Sequence, residues 1–396
     1  MTKRTDGVRS WLGHIANLAE GVGPRGSTTE AERRAAEYCA CVLQDLGLRP
    51  EIEGFLSARS IYQPHLIAAG LMLVSFAVYP ILGGAGAALA AALAWLALVS
   101  DLLELSFREN PLRWVLPKAA SQNVVAVAPS AAAPRQDLVL IGHLDSHRTP
   151  LIFSSAGWVA VYKAFTTVAF VAFLGQAALY TLGIFSPAAW IWPATLPVAL
   201  CALLLIGLCM QADSTPFSAG ANDNATGAAL VVTLAEWLRR QPLRHTRVWL
   251  VCSGCEEVQH YGAIDFFRRH RAELHSPRTI AFEMLGCAGP AWLVREGIVV
   301  PFHANPEMAG LAQRVAEKHP ELQAYPGRIN GGNTEMADAL RVGIPAITLM
   351  GLAPSGEAPY WHQVGDTVDQ IDAKVLSRAL AFTWEYLRAL DAQAAG

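Results

Sequence analysis

LVLIGHLDSH, residues 138–147, begins as a buried strand and ends as something else. Four apolar residues and a glycine are long enough to cross a sheet. With no turn residue between, the run then delivers His143 and Asp145, two positions apart and therefore on one face. A strand that only fills a core has no use for an imidazole and a carboxylate at its end. Further apolar runs of the same kind lie along the chain: NVVAVAP (123–129), RVWLVCSG (247–254), RTIAFEML (278–285) and PAITLMG (345–351), with a strand start at EIEGF (51–55). They are too continuous to be half exposed, and helical patterns alternate with them: NATGAALVVTLAEWLRRQ, YGAIDFFRRHRAEL, PEMAGLAQRVAEKH and AKVLSRALAFTWEYLRALD. This alternation predicts an α/β fold, a three-layer sandwich with a mostly parallel central sheet. Sites in such sheets form at the carboxyl ends of the strands.

Composition adds a membrane component. Of the 396 residues 53% are hydrophobic and 16% charged, and the mean hydropathy of +0.30 is too apolar for an ordinary soluble enzyme. The excess lies in two gaps without a single Asp, Glu, Lys or Arg, one between Arg59 and Asp101 and one between Lys163 and Asp213. Each gap holds two apolar spans of about the 17–25 residues a transmembrane helix needs. Breaks at GGAGA (83–87) and SPAAWIWP (186–193) divide them. The expectation is four transmembrane helices inserted as two hairpins, residues 61–104 and 153–212, into a discontinuous domain made of 1–60, 105–152 and 213–396. Trp190 and Trp192 fall where an aromatic belt would lie, and Lys163 is placed to snorkel.

Two hairpins return the chain to the side it left, so all the polar segments share one face of the lipid bilayer. Arg59, Arg108, Arg113, Lys118 and Arg148 flank the spans on that face and the opposite breaks carry no charge, which predicts an integral membrane protein whose polar domain is cytoplasmic. The first 60 residues read as a capped amphipathic helix, STTEAERRAAEYCACVLQDLGLRP (27–50), leading to a strand, and not as a signal peptide. Seven cysteines without a repeated spacing read as reduced thiols. A net charge of −3 with no basic run gives no case for nucleic acid as a partner. Oligomeric state is not legible.

Chemistry-bearing residues collect at the strand ends. His143 and Asp145 follow the second long strand, GANDNATGAA sets Asp223 and Asn224 at the mouth of a helix, Glu256 and Glu257 follow RVWLVCSGC, Glu283 ends RTIAFE, and His362 lies in PYWHQVGDT. Adjacent carboxylates repel and call for a cation between them, and two imidazoles with several carboxylates suit a pair of zinc ions. Cys255 reads as a small buried neighbour, His147 as a solvent-facing extra histidine, and Asp366 as a turn cap or a support for His362.

The series GHLDS, GANDNATG, CEEVQHYGA, FEM and YWHQVGDTVDQID resembles the co-catalytic two-zinc peptidases of family M28, which include bacterial leucyl aminopeptidase, aminopeptidase Y and glutamate carboxypeptidase. The resemblance spans roughly residues 7–58, 120–148 and 214–390, outside the apolar hairpins. It implies a peptide substrate and two zinc ions as cofactors. His143 and Glu283 would hold one ion, Glu257 and His362 the other, with Asp223 bridging. Asp145 would orient His143 and serve catalysis from behind it, and Glu256 would be the general base. The activity implied is that of a membrane-anchored metallopeptidase, an aminopeptidase. The same fold also supports a single-zinc acyltransferase like glutaminyl cyclase and a non-catalytic receptor-like module. Tyr360 receives no role, and NGGNTEMADALRVGIPAITL resembles the segment beside the family's specificity pocket without naming a substrate.

Overall fold

The apolar runs do become strands. In chain order the strands are β1 (Glu51–Ala58), β2 (Lys118–Ala128), β3 (Gln136–His143), β4 (Thr246–Ser253), β5 (Arg278–Glu283), β6 (Ala291–Glu296), β7 (Phe302–His303), β8 (Tyr325–Arg328) and β9 (Ala346–Met350). They form one nine-stranded sheet in the order β1-β2-β4-β3-β5-β9-β6-β7, with β8 beside β6. This computed structural model describes residues 2–81 and 83–394. The chain folds as two units, one of Met1–Arg59, Lys118–His147 and Phe217–Gly396, and a second of Ser60–Pro117 and Arg148–Pro216.

In the first unit β4, β3, β5 and β9 run parallel at the centre, and β3 is buried at every position. Toward the edges the direction changes: β1–β2, β2–β4, β6–β9 and β6–β7 are antiparallel. The sheet is thus mixed, and the expectation of a mostly parallel one is corrected. The apolar run of β2 looks like that of a parallel strand because both its faces are covered, and continuity reports burial, not direction. Three strands were not anticipated. β6 is a short run after Gly289-Pro290, β7 has two residues, and β8 carries Pro326 and Gly327, which argue against a strand.

Both faces of the sheet carry helices. Gly142 lies against the helix Thr226–Arg240, where a β-carbon would come within 2.7 Å of the Gly227 backbone. That glycine is required by close approach. The residue after it points the other way, as does its parallel partner Ser253, whose hydroxyl donates to Glu335 on the helix Glu335–Arg341 (2.9 Å). The amphipathic N-terminal reading corresponds to the helix Glu30–Asp45, which starts on Thr29, whose side chain accepts from the Glu32 amide.

The second unit is four apolar helices, Tyr62–Val78, Gly83–Leu105, Ala156–Phe185 and Leu196–Ser214. The last three are long and apolar enough to cross a membrane, and Tyr62–Val78 has 17 residues. The first break differs from the expected one: the glycines at 83 and 84 belong to the second helix, and the chain turns at Tyr79-Pro80-Ile81. Tyr79 still has helical geometry, and Pro80, with no amide proton to continue the helical ladder, places the stop. Small side chains, Ala68, Ala69, Ala94, Ala97, Ala177 and Ala202, line the packed interior. Gln176 donates to the Met72 carbonyl (3.0 Å), and the Ser75 hydroxyl donates to Ala90 O (2.7 Å). Close backbone approach through small residues, reinforced by a few polar contacts, is how helices associate where apolar burial gives no advantage over lipid. Val74, Val99, Val168, Val171, Leu203 and Leu204 face outward.

Candidate metal centre

The central parallel strands end along one edge of the sheet. His143 closes β3, Glu283 closes β5, and Cys255, Glu256 and Glu257 follow β4 directly. Two further segments complete the group. Asp223 lies in Ala221–Ala225, preceding the helix Thr226–Arg240, and His362 comes from the loop after β9. The seven residues singled out in sequence come together here.

The distances divide them into two sets. His143 Nε2 lies 3.5 Å from Asp223 Oδ1 and 3.5 Å from Glu283 Oε2. His362 Nε2 lies 3.4 Å from Asp223 Oδ2 and 3.3 Å from Glu257 Oε2. Asp223 therefore turns one oxygen to each imidazole. A tetrahedral ion with ligands at about 2.0–2.1 Å has ligand-to-ligand edges of roughly 3.3–3.4 Å, the spacing found in both sets. Asp223 Oδ2 and Glu257 Oε1 are buried and accept no hydrogen bond among the described residues. Burial first, then the like charges of Asp223 and Glu256, push the Glu257 carboxyl well above the usual range, and burial does the same to Glu283. His362 is driven the other way, by burial and then by the neighbouring imidazoles of His147 and His143. Two imidazoles beside crowded carboxylates are a donor set that fits zinc.

Supporting residues fix each donor. Asp145 stands behind His143: its main-chain oxygen is 3.0 Å from His143 Nδ1 and its carboxylate Oδ1 3.5 Å. The carboxylate also accepts from the amides of Glu256 (3.1 Å) and Glu257 (3.2 Å) and from the Ser27 hydroxyl (2.6 Å), so one aspartate ties β3 to the paired glutamates. Asp366 accepts from the amides of Asn222 (2.6 Å) and Asp223 (3.0 Å). It is a turn cap, and the turn is the one carrying Asp223. Asn224, joined to Asp223 by a cis peptide, donates to Phe282 O (2.7 Å) and Glu283 Oε2 (3.2 Å), which links the two sides of the first set. Cys255 is a buried neighbour whose amide donates to Glu32 (2.8 Å). Tyr360 donates its hydroxyl to Gln370 (2.5 Å).

One expectation is corrected. His147 does not face solvent: it is 7% exposed and stacks on His362 with ring centroids 3.6 Å apart, within metal-binding reach of Glu257 and His362. The strand-end spacing could not show this, because His147 lies past the end of β3, where face alternation stops.

Sequence reading also passed over Arg25. It is fully buried and donates to five carbonyls, Leu144 (2.8 Å), Leu18 (2.9 Å), Gly23 (3.2 Å), Ala219 (2.7 Å) and Gly220 (2.7 Å). Burial pulls its pKa down to about 10, still cationic at neutral pH. The guanidinium pins the chain on both sides of the donor set, before Asp145 and before Asp223. Arg25→Ala is expected to cost about 3 kcal/mol or more, since it orphans buried carbonyls. That corresponds to a fall of roughly 6–12 °C in thermal midpoint for a unit of this size, read by near-ultraviolet circular dichroism. Arg25→Lys should recover little of it, because an ammonium cannot reach carbonyls in a planar fork.

Residues 211–387 match the model of peptidase family M28, a stretch that contains Asp223, Glu256, Glu257, Glu283 and His362. The resemblance read from the motifs is thus found over this part of the chain. No curated protein matches the chain. Among solved structures, the glutaminyl cyclase of Bacteroides thetaiotaomicron is similar at 13% identity and a TM-score of 0.58, covering 96% of this chain and 97% of that one. A leucine aminopeptidase precursor of the same organism aligns at 13% and 0.57, covering 96% of each chain. A zinc aminopeptidase of Bacillus subtilis aligns at 13% and 0.57, covering 96% of this chain and 94% of its own. At such identities the likeness is one of fold.

Proposed function

We propose that this chain is a membrane-anchored zinc metallopeptidase acting as an aminopeptidase, with two zinc ions, one held by His143, Asp223 and Glu283 and the other by Asp223, Glu257 and His362. The observation that carries the reading is the division of Asp223 between two imidazoles, Oδ1 at 3.5 Å from His143 and Oδ2 at 3.4 Å from His362. Bound in the two sets, the ions supply acidification of a shared water and stabilisation of the negative charge that develops on a peptide carbonyl. The chain's own groups do the rest. Glu256 Oε2, 3.8 Å from His143 Nε2, is within reach of both sets and takes the proton of the attacking water, then passes it to the departing amine. Asp145 holds the Glu256-Glu257 turn against β3. His143 donates its other ring proton to Asp145, which fixes the tautomer that leaves Nε2 as a donor to metal.

Glutaminyl-cyclase chemistry is the second reading, favoured by the fold likeness to such an enzyme and disfavoured by two complete donor sets where one ion suffices. Zinc analysis of the purified chain separates them, with two per chain expected. So do products: a Leu-leading peptide is expected to yield free leucine, and an N-terminal glutamine peptide to be cleaved without first losing ammonia. One zinc per chain with ammonia release would replace the peptidase reading.

All four apolar helices cross the bilayer in this reading, as two hairpins with the catalytic unit on the cytoplasmic side. Their outward apolar surface and the positive flanks support it. A cysteine placed at Gly84 or Ser186 in a background lacking the native cysteines should react with an impermeant maleimide added to intact cells, and one at Gly13 only after lysis. Labelling at Gly13 in intact cells would reverse the orientation.

A further inference from the structure

His260 lies four residues past Glu256 at the start of the helix Tyr261–His270, and it is 2% exposed. Its ring stands between two carboxylates. Nε2 is 2.9 Å from Glu256 Oε1, and Nδ1 is 2.6 Å from Asp338 Oδ2. Asp338, on the helix Glu335–Arg341, is itself buried and meets Arg341 Nη1 at 3.4 Å. The backbone reinforces the turn, since the His260 amide donates to Glu256 O at 2.9 Å. His260 has φ +56° and the preceding Gln259 φ +84°, a left-handed stretch that a side chain with a β-carbon adopts at a cost, so the imidazole is held here at the expense of an easier residue.

We propose that Asp338 and His260 form a relay that positions Glu256 by occupying Oε1 and leaving Oε2 as the oxygen that faces the metal sets. The inference rests on the proposed role of Glu256 as base. Glu256 Oε2 lies toward His143 at 3.8 Å while Oε1 is engaged by His260, so the two oxygens are not equivalent. Ionised carboxylates only accept, and a ring bonded to one at each nitrogen must donate from both, which makes His260 an imidazolium. Burial works against that charge, and the carboxylates of Glu256 and Asp338 outweigh it, holding the imidazole well above its ordinary range. The relay fixes the geometry of proton transfer: a general base rotated by an ångström loses its reach, and such misplacement costs about a hundredfold in rate. His260 acts through Glu256 in this arrangement and is a positioning residue.

The test uses the full-length zinc-loaded enzyme and a Leu-leading chromogenic peptide. His260→Asn suits the left-handed backbone but is too short to span both carboxylates, and it should lower kcat about a hundredfold with KM within twofold and zinc content unchanged. His260→Gln returns a neutral donor and should recover part of the loss, and Asp338→Asn should lie between. Selective ¹⁵N-histidine spectra supply a readout apart from turnover: both His260 ring nitrogens carry protons in the wild type, the Nδ1 signal moves in Asp338→Asn and the Nε2 signal in Glu256→Gln. Wild-type kcat in both His260→Asn and Asp338→Asn, beside an inactive Glu256→Gln, would overturn the relay and leave the base standing. An active Glu256→Gln would instead remove the base reading. Should His260→Asn lose zinc or fold, Asp338→Asn and the ring resonances decide.

Discussion

Asp223→Asn is expected to bind about one zinc ion per chain where the wild-type chain binds two, and Asp223→Ala to hold neither tightly. An asparagine keeps the shape of the aspartate and presents a single neutral oxygen, so it can serve one donor set and not both. The expectation follows from the way Oδ1 and Oδ2 lie 3.5 and 3.4 Å from different imidazoles. Peptidase turnover in either variant should fall to about a thousandth of wild type or below, because acid–base help and metal help are lost together. The hydrogen bonds from the Asn222 and Asp223 amides to Asp366 involve main-chain donors and survive the substitution, so the turn should persist. Two tightly held ions in Asp223→Asn would mean that the sets are independent and that Asp223 does not bridge them. Metal analysis after gel filtration decides the point without any assay of activity.

How much of this was open to reading from sequence depends on whether the relevant contact is local. β3 announces itself because its apolar run and its terminal His143 are neighbours in the chain, and Glu256 and Glu257 stand out because paired carboxylates after a strand are chemically costly. The apolar helices were legible for a similar reason, since the absence of charge over some forty residues is a local property. What stayed hidden is long-range. The direction of β2 and β6 depends on which strand each one meets, and a run buried on both faces looks the same either way. Arg25 reads as an ordinary surface charge until it is seen against carbonyls nearly two hundred residues away. His147 could be placed near the centre but not turned inward, because its orientation is set by stacking on His362 from a distant loop. His260 did carry a signal: it follows Glu256 by four residues, the spacing that lets two side chains meet across a helical turn, but its second partner, Asp338, is 78 residues away.

Glu256→Ala should separate chemistry from metal binding. Glu256 is near both sets, yet its Oε1 is engaged by His260 at 2.9 Å and its Oε2 stands at 3.8 Å from His143, whereas Glu257 meets His362 at 3.3 Å and lies in the second donor set. Removing Glu256 should therefore leave zinc near two per chain while kcat falls by about 10²–10⁴, the range that a positioned general base supplies. Removing Glu257 should lose metal as well as turnover, and added zinc should restore part of its activity and none of that of Glu256→Ala. The two substitutions are adjacent and of the same chemical kind, so any general loss of packing or of the turn held by Asp145 would affect both alike. A difference between them in zinc content is what the geometry requires. Glu256→Ala retaining more than about a tenth of the wild-type rate would show that the water loses its proton to another group, and His147, buried against His362, would be the next residue to replace.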